Sequence, residues 1–279
     1  MRAFLYGGFQ DGHRVSEVCT DINLGDRSIY WALSSGLVRA GLEVDFVLPD
    51  EKDRIGSLDE GDLLVIGGGG LFEGYLLDPQ VIRKSPAKKI VVGAGVNWSR
   101  KMPPAALFGI QLQAQEALAG IPVVMVRDLQ TKAFLRIDSA AVFPDLAWAL
   151  WKPSEPKKDG AAAVVSAEIR ERSDETPIKL NLIHRPDLAM ASGWEDFRPF
   201  KTVRTDSYHG MIFSLMAGAT AEVTLQNVKQ ESFLLSYADR LTVIPNADGA
   251  VSVTCRDPEW FFRQAQESIR RVVRWAGYP

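Results

Sequence analysis

The segment Thr205-Asp206-Ser207-Tyr208-His209-Gly210 gathers an imidazole, two hydroxyls, a phenol and a carboxylate into one short run. It leads into Met211–Ala219, where Ile212, Leu215, Met216 and Ala219 recur at helical spacing. The spacing predicts a buried helix over 210–219 with Ser207 to His209 at its N-terminus. Unpaired N–H groups and the helix dipole favour an anion at such an end. An imidazole titrating near neutrality can move a proton there. Two readings stand: an anion site with an acid–base histidine, or a helix start in which Asp206 or Ser207 is the cap and His209 a satisfied polar residue.

Other residues invite the same weighing. Gly67-Gly68-Gly69-Gly70 follows an apolar run, so its backbone could approach a ligand and aim N–H groups at an anion, or simply make a tight turn. It does not fit GxGxxG, Gly93-Ala-Gly-Val-Asn-Trp98 fails that pattern at its last position, and no GxxxxGK[ST] occurs. Gly25-Asp26 opens a helical stretch, where Asp26 could cap the helix or handle the proton of a hydroxyl. Arg127 directly follows a buried strand candidate. Arg204 and Lys229 are further candidate cations, and Asp128 and Asp145 read as structural.

These residues need elements to hold them. Residues 1–150 alternate short apolar runs (3–6, 44–48, 63–66, 90–92, 123–126) with helical stretches (26–40, 104–118, 129–135). Runs stopped by Gly or Pro predict strands buried on both faces, hence a doubly wound parallel sheet. Ile29, Leu33 and Leu37 form the stripe of the first helix, and Gly41 stops it. Two prolines and three lysines mark a connection at 151–160. Beyond it, 161–165, 179–183, 202–204, 221–225 and 241–244 are strand candidates, with helices at 210–219, 231–238 and 260–275. The organisation expected is a domain at 1–150, a linker at 151–160 and a second domain at 161–279.

Composition bounds the function. The 279 residues are 46% hydrophobic and 24% charged, with a net charge of −3, so no overall positive field draws the chain to nucleic acid. Cys19 and Cys255 lie far apart without metal-ligand spacing, so no metal site is expected, and a reducing, cytoplasmic setting is. The arginines of 260–275, with Trp260, Phe261, Phe262 and Trp275, could form an interfacial face for peripheral association at the inner side of a membrane.

An ordered set of motifs resembles the polysaccharide pyruvyl transferase family. It comprises Asn23-Leu-Gly-Asp26, Leu64-Val-Ile-Gly-Gly-Gly-Gly-Leu-Phe72, Val91-Val-Gly-Ala-Gly95, Val126-Arg-Asp128 with Thr131, Phe143-Pro-Asp145, Asp206-Ser-Tyr-His-Gly210 and Asn227-Val-Lys229. The resemblance implies two Rossmann-like domains facing a cleft as in GT-B glycosyltransferases, the second one reduced. It implies transfer of a pyruvyl group from phosphoenolpyruvate to hydroxyls of a sugar, polysaccharide or lipid-linked glycan as a ketal, without a cofactor. His209 and Asp26 would be catalytic. Gly25, Gly68, Gly69, Gly70, Arg127, Arg204, Ser207, Tyr208, Gly210 and Lys229 would bind substrate. Ser207 stands where many members carry arginine, so Arg204 or another basic residue takes that place or the donor differs. Two alternatives keep the scaffold: a nucleotide-sugar glycosyltransferase of GT-B type, or a noncatalytic binding protein.

Overall fold

The computed structural model describes residues 1–9, 24–70, 78–97, 102–153, 162–165 and 194–278, with backbone alone at 49–50 and 162–165. The first half is a six-stranded parallel sheet of β1 (Arg2–Gly7), β2 (Glu43–Val47), β3 (Leu63–Gly67), β4 (Lys88–Ala94), β5 (Val124–Val126) and β6 (Ala141–Val142), in the order β2-β1-β3-β4-β5-β6. Helices α1 (Leu24–Arg39), α2 (Pro79–Lys84), α3 (Pro104–Leu118) and α4 (Leu129–Leu135) connect its strands, and short 3-10 turns cover Pro49–Ser57 and Leu146–Leu150.

Period-two alternation explains why the central strands read as unbroken apolar runs. Ala3 and Leu5 of β1 enter one core, while Phe4 and Tyr6 enter another on the opposite face. β3 divides likewise, with Leu63 and Val65 on one side and Leu64 and Ile66 on the other. In α1, Ile29, Leu33 and Leu37 are buried as the stripe predicts. Gly41 terminates the helix at φ 87°, and the bonds Gly41 N–H to Val38 O and Leu42 N–H to Leu37 O close its end.

A second sheet has the order β10-β11-β9-β8-β7, built from β7 (Ala162–Val165), β8 (Thr202–Thr205), β9 (Thr220–Val223), β10 (Leu241–Pro245) and β11 (Val251–Cys255). Helices α5 (Tyr208–Met216), α6 (Val228–Ser236) and α7 (Pro258–Trp275) accompany it. Strands β7, β8 and β9 are parallel, but β11 runs antiparallel to β9 and β10. This sheet is therefore mixed, where a Rossmann-like reading leads one to expect parallel strands. The cause is local: β10 and β11 are joined by the tight turn Asn246–Ala250, with Gly249 at φ 83°, and so short a loop can only reverse the chain. β11 is absent from the sequence reading, although Val251-Ser-Val-Thr-Cys255 alternates as a half-buried strand should. The candidate strand 179–183 lies outside the described residues.

One apolar core runs across both sheets, from Leu5 and Val65 to Val203, Phe213 and Val223. Helix α7 closes it. Phe261 stacks on Trp148 with ring centroids 4.6 Å apart, and Gln266 donates to Ala149 O at 3.0 Å. A Cβ on Gly36 of α1 would meet Ile269 at 2.4 Å, so the two helices touch where α1 has no side chain. Burying Phe261, Ile269 and Val272 contributes roughly 1.5–3 kcal/mol each.

This packing takes Phe261 out of the interfacial face expected of α7 and half-buries its other aromatics. Phe261 is fully buried, Trp260 lies against Tyr237 and under Arg240, and Phe262 packs on Trp151. The exposed surface of α7 is instead arginines, three of which share Glu267. Among the described residues no helix is long and apolar enough to cross a membrane.

Candidate active site

The strand order places the site. From β1 the chain crosses to β2 on one side, and β3 lies on the other, so the connections leaving β1 and β3 diverge at their carboxyl ends. A crevice opens at such a reversal. The residues at that end are Gly8, Gly68 to Gly70 after β3, and Gly95 to Asn97 after β4, with Gly8 against Gly68 and Gly70 against Asn97.

The glycines serve as seats for side chains. A Cβ on Gly69 would lie 2.7 Å from Asp26 Oδ1, one on Gly95 would lie 2.0 Å from Arg127 Nε, and one on Gly25 would lie 1.8 Å from His209 Nδ1. Asn97 packs on Gly70 in the same way. The backbone N–H of Gly68 donates to Val92 O and that of Gly95 to Gly69 O, so these amides join strands. The four-glycine turn thus makes room for functional groups, and the Gly68 N–H is taken up by the sheet.

His209 sits in the first turn of α5, which Ser207 caps by accepting from Gly210 N–H at 3.3 Å. The imidazole is 7% exposed, stacked on Phe213 and edge-on to Tyr208. Its Nε2 faces Asp145 Oδ2 at 3.7 Å, an ion-pair separation longer than a hydrogen bond. Asp145 is itself anchored, its Oδ1 accepting from Ala147 N–H at 2.9 Å.

Arg127 is 1% exposed and lies between two carboxylates. Its Nε is 3.6 Å from Asp128 and its Nη1 is 3.7 Å from Asp145, while Nη2 donates to Val96 O at 3.2 Å. The guanidinium rests over the Tyr208 ring at 4.6 Å. Tyr237 Oη donates to the Arg127 carbonyl at 2.9 Å, tying α6 to the end of β5. Asp128 also caps α4 through Thr131 N–H. Arg127 Nε, Asp145 Oδ2 and His209 Nε2 are all buried without a hydrogen-bond partner among the described residues.

The two carboxyls facing His209 are pushed in opposite directions. Burial raises the Asp26 carboxyl above the usual range, against the opposing pull of His209, Lys229 and Arg127. Burial would raise Asp145 too, but His209, Arg127 and the Ala147 N–H outweigh it and hold that carboxyl low. Lys229, half-buried in the first turn of α6, is close enough to act on Asp26. The Asn227–Gln230 capping box fixes that turn, and Gln230 reaches back to Asp206 O at 2.8 Å.

The fold therefore brings Gly25, Asp26, Gly69, Arg127, Tyr208, His209 and Lys229 together. Arg204 does not join them: it is exposed on β8 and bound to Glu222 at 2.6 Å, so it does not stand in for the arginine absent at Ser207. Ser207 and Gly210 form the helix start, and Tyr208, 3% exposed, supports Arg127 and His209 from within. Asp145, read from the sequence as structural, lies against the imidazole; its place in the Phe143-Pro-Asp145 motif was the available signal. Asn97, beside Gly70, also escaped the sequence reading. Among the described residues no group of three His, Cys, Asp or Glu side chains could hold a metal ion.

The family model described as polysaccharide pyruvyl transferase matches residues 23–220. The chain belongs to that family. The match takes in Asp26, Arg127, Asp145 and His209 and ends before Lys229. No curated protein matches this pyruvyl transferase family member. Among solved structures, one match is the crystal structure of a functionally uncharacterised protein from Klebsiella pneumoniae subsp. pneumoniae. It is 17% identical, with a TM-score of 0.49, over 84% of this chain and 87% of that one.

Proposed function

We propose that the protein transfers the pyruvyl group of phosphoenolpyruvate to two hydroxyls of a sugar in a glycan or glycolipid precursor, forming a ketal and releasing phosphate. The observation that carries this reading is one imidazole facing two carboxyls whose environments push them apart, Asp26 up and Asp145 down. Family membership supplies the transfer; the geometry supplies candidates for each proton.

In the first step a hydroxyl oxygen bonds to C2 of the enol, C3 takes up a proton, and the hydroxyl proton passes to a base. In the second the bond from C2 to the phosphate oxygen breaks, phosphate leaves with the electron pair, and the second hydroxyl adds to the oxocarbenium-like C2 as it passes its proton to the carboxylate left on the acid that protonated C3. His209 serves as base to the hydroxyl. Asp26, which burial inclines to keep its proton, serves as acid toward C3. That assignment departs from the sequence expectation of Asp26 acting on the acceptor hydroxyl, because the raised carboxyl favours a donor. Lys229 and the N-terminal turns of α5 and α6 face the donor's phosphate and carboxylate.

Asp26 and Arg127 come from the half bearing the parallel sheet, His209 and Lys229 from the other. This supports a GT-B-like arrangement in which donor and acceptor meet between two lobes joined through 151–160. The test is incubation with phosphoenolpyruvate and sugar acceptors, following phosphate release and the appearance of an acceptor bearing a new carboxylate. Release that persists in His209→Gln would remove the histidine from the mechanism. Thermal protection by nucleoside diphosphates, with none by phosphoenolpyruvate, would point to a nucleotide-sugar donor instead.

A further inference from the structure

We propose that Asp145 is the positioning residue of His209: it holds the proton on Nε2, leaves Nδ1 as the basic nitrogen on the side of Gly25 and Asp26, and depends on buried Arg127 as its counter-charge. The proposal deepens the reading above and rests on it only for what the histidine does to substrate.

Three facts of geometry support it. Asp145 Oδ2 lies 3.7 Å from both His209 Nε2 and Arg127 Nη1, and all three side chains are between 1% and 8% exposed. None of Asp145 Oδ2, His209 Nε2 and Arg127 Nε has a hydrogen-bond partner among the described residues, so the group is held together by charge and packing. The second oxygen of Asp145 is fixed to Ala147 N–H, which leaves Oδ2 aimed at the ring.

The steric frame gives the ring one seat. Phe213 stacks on its face, Tyr208 meets its edge, and the place where a side chain at residue 25 would stand is filled by Nδ1. With Nε2 turned toward a carboxylate, the neutral imidazole carries its proton there, and its lone pair is on Nδ1. In other acid–base sites a buried carboxylate that bonds an imidazole selects its tautomer and orientation; Asp145, 3.7 Å from Nε2, stands in position for that role. Asp128 cannot substitute, since its oxygens are engaged by Thr131 N–H and Arg127 Nε. Besides Asp145, the charged and titratable groups around His209 among the described residues include Asp26 of α1 and the adjacent Tyr208, with Arg127 sharing Asp145 and Lys229 of α6 acting on Asp26.

The chain has three histidines, so the side-chain nitrogen NMR signals of the 15N-labelled protein can be assigned to His209 as those lost in His209→Gln. The expected result is an Nε2–H tautomer in the wild type. In Asp145→Asn the preference for the Nε2–H tautomer is lost, and Asp145→Glu restores part of it. In phosphoenolpyruvate-dependent turnover, Asp145→Asn lowers kcat about 10²-fold with little change in KM. An Nδ1–H tautomer in the wild type, or an unchanged tautomer preference in folded Asp145→Asn, would overturn the proposal. If the single variant does not fold, the tautomer of the wild-type His209 decides the proposal by itself. Absence of turnover with every acceptor would count against pyruvyl transfer alone, because the NMR readout needs no substrate.

Discussion

Gly25 and His209 compete for one volume: a Cβ on residue 25 would fall 1.8 Å from Nδ1 and 2.0 Å from Cγ of the imidazole. The first turn of α1 and the first turn of α5 can meet only because one of them lacks a side chain. Gly25→Ala is therefore expected to displace the ring. Overpacking of this kind destabilises by about 1–3 kcal/mol. Turnover should fall about 10²-fold, since misplacing a reacting group by an ångström has that effect. Denaturant unfolding and steady-state kinetics check the two effects separately.

Asp26→Asn should make the protein more stable at neutral pH while lowering turnover by about 10²-fold or more. The folded state holds the Asp26 proton to higher pH than the unfolded chain does, because burial disfavours the anion. The contribution of Asp26 to stability is thus most favourable at low pH and is lost as pH rises through the raised value. The gain from Asn should vanish below about pH 4, where an unfolded carboxyl is itself protonated. Melting curves of both proteins across pH would show this convergence, and parallel curves would refute it.

Arg127→Met leaves Asp145 and Asp128 buried without their cation, and breaking a buried pair in this way costs about 3–5 kcal/mol. The loss should be greatest near neutrality and smaller in acid, where Asp145, no longer held low by the guanidinium, takes up a proton. A loss independent of pH would mean that Arg127 matters mainly as packing over Tyr208.

Arg204→Ala should change stability by less than about 1 kcal/mol, as expected for an exposed ion pair. Turnover should stay within about twofold of the wild type, because the side chain binds Glu222 on the outer surface. A large rise in KM for phosphoenolpyruvate would reinstate it as a donor ligand.

Phe261→Ala removes the ring that stacks on Trp148 and should destabilise by about 3–5 kcal/mol. If α7 serves only as the closure of the shared core, the folded variant binds phosphoenolpyruvate as the wild type does. Calorimetric titration below the melting temperature would test this.

The parallel half of the fold was legible in the sequence because its signals are local. A strand buried on both faces must be apolar throughout, as Leu63 to Ile66 is, and a helix packed on one side must carry a stripe, as Ile29, Leu33 and Leu37 do. The helix following Ser207 was legible for the same reason. The sequence by itself also determined which residue types the site could use, since the ordered motifs contain Asp26, Arg127, Asp145 and His209. What only the tertiary structure decided is how those groups pair. Spacing along the chain carries no record of an ion pair closed between β5, the turn after β6 and α5, so Asp145 read as structural and Arg204 as a ligand. Burial then set the sign of each carboxyl: the same residue type is raised at 26 and lowered at 145 because one is desolvated with weak compensation and the other faces an imidazole and a guanidinium.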